Sequence, residues 1–205
     1  MGKLIEVVGP SGVGKTTLVH VLDRSAKFAT AYEGHTERAF QALFKQDKHY
    51  GLANQMDYLL LRAEQERNLR ASPLIGVMDG GLDLDYHGFT RLFRARGGLD
   101  DSEFDLCRRF YEFTRSWLPL PELIVHLTAG QEVIRERLAS RQRINIASAD
   151  DVAMFNQFLG EWLATIPAER LLRLDVSVEA PGFDSSIAVI LERLAISDHC
   201  HELSS

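Results

Sequence analysis

A chain of 205 residues has room for one sizeable core and is short for two. With 45% hydrophobic and 25% charged residues it has a globular composition, and a formal net charge of -6 argues against general affinity for nucleic acid or anionic membrane, so any anion site must be local. The two scattered cysteines, Cys107 and Cys200, imply no disulfide framework, no apolar run is long enough to span a bilayer and the first residues show no secretory pattern, so the expected location is the cytoplasm.

Lys3 to Val8 is a short apolar run and predicts a buried strand. A glycine-rich loop follows, then a helix from Lys15 to Arg24. Phe28 to Glu33 reads as a second strand. Thr36 to Lys45 and Tyr50 to Arg70 read as helices, the longer one with Leu52, Leu59, Leu60 and Ala63 at helical spacing. Pro73 to Asp79 is a third strand ending in an acid, and Leu84 to Ala95 a helix. Asp101 to Trp117 is amphipathic, with Phe104, Cys107, Phe110, Tyr111 and Trp117 expected on one face. Glu122 to Leu127 gives a fourth strand, and Glu132 to Arg141 a helix with Thr128 and Gln131 placed as a capping box. Val152 to Ile166 is a helix, Leu171 to Asp175 a fifth strand and Ser185 to Ala195 a closing helix. The polar residues 197–205 are expected to fray as a tail, in which His199, Cys200 and His201 lack a fourth ligand or a rigid frame for a metal.

Strands alternating with helices predict an α/β fold: about five parallel strands covered by helices on both faces, as a single domain over 1–196. Ligands of such sheets bind beyond the carboxyl ends of the strands, which singles out the residues after Val8, Ala31, Met78 and Leu127.

The first of those places carries the strongest signal. Gly9, Pro10, Ser11, Gly12, Val13, Gly14, Lys15 and Thr16 fit GxxxxGK[ST] at every fixed position, between a predicted strand and a predicted helix, with Thr17 next in the first turn. Glycines let backbone N–H groups turn toward phosphate oxygens, and the helix start adds its positive dipole end. Lys15 is placed to reach the β- and γ-phosphates of ATP and the Thr16 hydroxyl to ligate Mg²⁺. The fold expected is therefore the P-loop NTPase three-layer sandwich. The segment Thr128-Ala-Gly-Gln-Glu132 looks like a GTPase switch, but Leu127 stands where an Asp is required, the position is late, and no guanine-reading NKxD exists.

Other segments fill out the pattern. Tyr32-Glu33 ends the second strand, Phe44 to Gln55 forms an aromatic and polar run, Asp79 ends the third strand, and Arg137-Leu-Ala-Ser-Arg141-Gln-Arg143 clusters three cations, with Glu161-Trp162-Leu163 and Leu174-Asp175 further on. With the phosphate loop they resemble the deoxynucleoside kinase family of P-loop kinases, from the loop to about Asp175. The resemblance implies transfer of the γ-phosphate of ATP to a hydroxyl of a nucleoside-like small molecule, with ATP and Mg²⁺ as cofactors and a homodimer as the assembly common in the family. It implies that Glu33, Phe44 and Gln55 lie at the acceptor and that Asp79 takes the acceptor's proton. It also implies that Arg137, Arg141 and Arg143, in a lid near 137–150, stabilise charge on the transferring group. Asp79 has a second reading as a Mg²⁺ holder beside Thr16, and the two roles are compatible.

The pattern also departs from the family, always on the acceptor side. Asp79-Gly80-Gly81 replaces acid-Arg-Ser, Phe44 replaces a Tyr whose hydroxyl meets the sugar 3′-OH, and Ile144-Asn145-Ile146 replaces lid acids. Losing one buried hydrogen-bond partner costs about 1–3 kcal/mol. Arg62, Asp83, Asp85 or His87 are the nearby groups able to replace such contacts, with Arg62 the candidate cation at the acceptor. The alternatives are a nucleoside monophosphate held by Arg38, Arg62 or Arg91, another small alcohol, or a non-catalytic ATP-binding module.

Overall fold

The computed structural model describes residues 2–32, 37–139, 149–178 and 182–202. Among them the sheet has five strands: β1 (Leu4–Val8), β2 (Phe28–Ala31), β3 (Ile75–Asp79), β4 (Leu123–Thr128) and β5 (Leu171–Asp175). All pairings are parallel and the order is β2-β3-β1-β4-β5. β1 is therefore central, and all five of its residues are buried.

Alternation along the strands sets the two faces. Ile5, Val7, Val77, Val125 and Leu127 pack with Leu18, Val19 and Leu22 of α1 (Lys15–Ser25) and with Ile187 and Ile190 of α9 (Asp184–Glu202). On the other face Val8 and Ile124 meet Phe155, Leu159, Trp162 and Leu163 of α8 (Ala149–Leu163), while Leu4 and Met78 meet Leu69 of α3 (Gly51–Arg70). A third cluster joins α3 to α6 (Asp101–Arg115) through Leu59, Tyr86, Phe93, Leu99 and Cys107. This is the three-layer α/β sandwich of the P-loop NTPases.

Several expected elements differ. The helix predicted from Leu84 starts at Leu82: α4 (Leu82–Leu84) runs into a π-helical turn over Asp85–Thr90 and then α5 (Arg91–Ala95). The Asp85 carbonyl accepts from the Thr90 hydroxyl at 3.0 Å and from the Gln55 side-chain amide at 3.3 Å. An inserted π turn changes which side chains face inward, and such turns gather at functional sites. α6 stops at Arg115, four residues short of Pro119, so Trp117 leaves the predicted face, sits 66% exposed and packs on Phe113. Thr128 is not spent in a capping box: it is the last residue of β4, and its hydroxyl donates to the Leu174 carbonyl. Residues beyond Ile196 do not fray at once, because no Gly or Pro interrupts them and α9 runs to Glu202.

Candidate active site

β1 delivers the chain into the phosphate loop. Gly9, Gly12 and Gly14 have φ of 145°, 84° and 114°, in the region that favours glycine. A Cβ at Gly9 would lie 2.6 Å from the Leu127 carbonyl oxygen, so this corner is closed to larger residues. The Lys15 ammonium donates to the carbonyls of Gly9 at 2.9 Å and Pro10 at 3.1 Å, which holds it over the loop. Behind the loop, α7 (Gln131–Ala139) supplies Arg137, whose guanidinium donates to the carbonyls of Val13 at 2.8 Å and Val176 at 3.1 Å. The first arginine of the cluster thus braces the loop against the end of β5. Arg141 and Arg143, most of the lid segment, and Glu33 lie outside the described residues.

The β1–β3 register sets Val7 opposite Asp79 and brings that carboxylate beside the loop. Thr16 Oγ1 donates to Asp79 Oδ2 at 2.5 Å, whereas Asp79 Oδ1 is buried with no hydrogen-bond partner. A hydroxyl and an orphaned carboxylate oxygen are the hard donors that Mg²⁺ takes. Among the described residues no group of three or more His, Cys, Asp or Glu side chains could hold a metal by itself. Those donors fit an ion that keeps most of its shell from phosphates and water, as Mg²⁺ does.

Side chains of α3 and of the helical stretch after Asp79 enclose a small cavity of about 60 Å³, lined by Gln41, Asn54, Gln55, Tyr58, Asp85, Phe89 and Phe93. Asn54 is 1% exposed and its Oδ1 has no partner, a buried acceptor that a ligand N–H or O–H would satisfy. Gln55 is equally buried and is tied to the Asp85 carbonyl. Phe89 also lines a small hollow beside Pro10 and Ser11, so one ring walls both the phosphate loop and the cavity.

The predicted acceptor residues divide. Gln55 lines the cavity. Arg62 is 2% exposed behind its wall, where Nε donates to Asp85 Oδ2 at 2.8 Å. Phe44 is not in the lining: its ring packs on Phe93, 5.1 Å between centroids, and against Gly51 and Gly98. Asn54 and Tyr58 were missed, although their i,i+4 spacing beside Gln55 marks one face of α3.

Beneath this wall lies a buried charge network. Arg115 donates to Asp83 through Nε at 3.1 Å and Nη2 at 2.8 Å, and to Glu66 at 2.9 Å. Arg70 meets Glu66 at 2.9 Å, and the Tyr111 hydroxyl donates to Asp83 Oδ1 at 2.5 Å. Burial, then the Asp83 charge, raises the Tyr111 phenol, so it stays a donor. Burial alone would lower Arg115, but the carboxylates of Asp83 and Glu66 outweigh it and keep the guanidinium charged. His87 sits 3.1 Å from the Tyr111 oxygen and stacks on Trp162, and burial pushes it down to about 4, so it is neutral near pH 7.

The sequence profile described as deoxynucleoside kinase matches residues 5–158. A deoxyadenosine kinase of Dictyostelium discoideum is 28% identical over 143 residues, which is 69% of this chain and 58% of that protein's length. The chain thus spans under two thirds of that relative. Two structures of the deoxyadenosine kinase of M. mycoides, one with the products dCMP and a flexible dCDP and one with dATP, each superpose with a TM-score of 0.77 at 16% identity. Both cover 94% of this chain, and 98% and 99% of their own. The fold is theirs, and the profile match over most of the chain establishes that this protein belongs to the deoxynucleoside kinase family, whose members are phosphotransferases.

Proposed function

We propose that the protein transfers the γ-phosphoryl group of ATP to the primary hydroxyl of a deoxynucleoside, in one domain whose lid lies near 137–150. The observation that supports this reading is Asp79 at the end of β3: Oδ2 accepts from Thr16 beside the phosphate loop, and Oδ1 is buried and unpartnered. In this reading the loop N–H groups and Lys15 hold the phosphates, and Arg137 keeps the loop rigid from behind. Thr16 and Asp79 would hold Mg²⁺, whose charge would offset that of the phosphates. Asp79 Oδ1 takes the proton of the attacking hydroxyl. Asn54, Gln55 and Asp85 read the polar edge of the base and Phe89 and Phe93 cover its faces. The relative's substrate makes deoxyadenosine the acceptor to try first. Glu33, Arg141 and Arg143 keep their family roles as sugar contact and lid cations. The proposed setting is the cytoplasm, away from anionic membranes and nucleic acid, which the net charge of -6 supports. No described helix is long and apolar enough to cross a membrane.

A monophosphate acceptor fits less well. Its extra charge needs a cation, yet Arg38 is paired with Asp57, Arg62 with Asp85 and Arg91 with Glu161. The test is Asp79→Asn, assayed by release of ADP from Mg-ATP with deoxyadenosine. A fall in kcat of about 10²–10⁴-fold is expected, with deoxyadenosine binding within about threefold. Unchanged transfer would sink the assignment.

A further inference from the structure

The turn after Asp79 is built from two residues without side chains, and other parts of the chain fill the room beside them. Gly80 has φ 71°, and a Cβ there would lie 3.3 Å from Arg62 Nη2. At Gly81 a Cβ would lie 2.5 Å from Glu6 Cδ, so the Glu6 carboxyl occupies the place of a side chain at 81.

Glu6 is an unusual residue for this strand. β1 otherwise carries Leu4, Ile5, Val7 and Val8, and Glu6 is as fully buried as they are, at 0% exposure. Its Oε1 accepts the Leu84 N–H at 3.2 Å, and its Oε2 has no partner. Leu84 belongs to the first turn of the helical stretch that begins at Leu82, where N–H groups lack partners within the helix. Gly81, which precedes that stretch, has no side chain to serve as a cap, so the acceptor comes from a strand 78 residues away. Burial raises the Glu6 carboxyl well above the usual carboxylate range, Asp83 and Glu66 add to this, and Arg115 opposes it. A leucine at this position would fill much of the same volume without that cost. It could not accept the Leu84 N–H.

That one bond joins the two halves of the site. β1 ends in the phosphate loop, and Leu84 sits between Asp79 and Asp85, the proton acceptor and the cavity wall. Phosphoryl transfer depends above all on how reacting groups are placed, and an error of about 1 Å costs on the order of 10²-fold. We propose that Glu6 is a positioning residue, tying the turn after Asp79 to the strand that carries the phosphate loop and so setting the approach of acceptor to phosphate. The role rests on the kinase reading given above.

The test compares Glu6→Leu with Glu6→Gln in the full chain. Glu6→Leu is expected to melt at or above the wild-type temperature and to bind ATP within about threefold. Its kcat with deoxyadenosine should fall about 10–100-fold, and its Leu84 amide should exchange with solvent at least about tenfold faster. In Glu6→Gln the amide oxygen still accepts from Leu84, so kcat and exchange should stay within about threefold of wild type. A residue that served stability alone would leave the kcat of Glu6→Leu untouched, and that result overturns the proposal. So does an unchanged Leu84 exchange rate. If Glu6→Leu does not fold, Gly81→Ala strains the same bond from the other side and must lower kcat with ATP binding kept; full activity in that variant overturns the proposal. If the wild-type protein phosphorylates no acceptor, it is the kinase reading that falls, and the Leu84 exchange rate alone then decides for or against the tie.

Discussion

The two halves of the site are made of different material. The phosphate side is one contiguous segment, residues 9–16, whose main groups are backbone N–H donors, three left-handed glycines and one lysine resting on loop carbonyls. The proposed acceptor side is built of buried charged and amide side chains from β1, α3, α4, the π turn and α6, whose partners lie far apart in sequence: 32 residues for Arg115 and Asp83, 49 for Arg115 and Glu66. The first half can lose its chemistry and keep its fold. In the second, the groups proposed to surround the acceptor are also buried in the core, so removing one of them strikes binding and stability together.

The sharpest probe of that contrast pairs one substitution from each half. Lys15→Ala is expected to abolish transfer, with unfolding free energy within about 0.5 kcal/mol of wild type, because the side chain is only partly buried and its ammonium rests on carbonyls of its own loop. Arg62→Ala leaves Asp85, at 6% side-chain exposure, as a buried charge without its ion pair, and should cost about 3–5 kcal/mol in denaturant unfolding. Arg62→Met with Asp85→Leu should recover most of that stability without recovering acceptor binding. Equal unfolding midpoints for Lys15→Ala and Arg62→Ala would break the contrast.

Acid gives a smaller effect of known sign. His87 and His126 are both pushed down to about 4, in each case first by burial; Arg91 and Arg115 push His87 down further while Asp83 opposes, and Arg173 adds to the effect at His126. The unfolded chain takes up these protons near pH 6.5 and the folded chain only near 4, so this stability is intact above about 6.5 and is lost as pH falls through that window. At pH 5 the loss is at most roughly 2 kcal/mol per histidine. Glu6 acts with the opposite sign: its raised carboxyl holds a proton in the folded state that the unfolded chain releases, so its contribution declines as pH rises through the raised value. His87→Gln should remove about half of the acid loss between pH 6.5 and 5, read from urea midpoints. An unaltered slope would mean that the stacked His87 does not titrate with unfolding.

The same contrast decides what could be read before the structure. The phosphate loop, the five strands and Asp79 were legible because each is local: a motif in consecutive residues, or an apolar run ending in an acid. The π turn was not, since its register rests on the Asp85 carbonyl receiving both Thr90 and a glutamine 30 residues earlier. Nor was the role of Arg137: helical spacing marked it as one face of a cationic cluster, while the structure sets it on the carbonyls of Val13 and Val176, 124 and 39 residues away. Buried pairs such as Arg70 with Glu66 look on paper like ordinary i,i+4 surface pairs, and only burial tells them apart.

The smallest effect tests the acceptor side where sequence and structure disagree most. By alignment, Phe44 is a lost hydroxyl, and Phe44→Tyr should restore a contact to the sugar and lower the acceptor KM by about tenfold. The packing argues otherwise. Phe44 lies behind Phe93, which faces the cavity, and its Cζ points into the narrow space beside Gly98, 3.4 Å from where a Cβ on that glycine would sit. A hydroxyl at that atom would meet Gly98 rather than the acceptor, and would be pressed into a tight, largely apolar contact. The expected result is therefore a deoxyadenosine KM within about threefold of wild type and a loss of about 1–2 kcal/mol in unfolding free energy. A tenfold drop in KM would mean that the helix carrying Phe44, α2 (Ala39–Gln46), rotates when acceptor binds. The cavity lined by Asn54 and Gln55 and the aromatic packing behind it would then be one site in the acceptor-bound state.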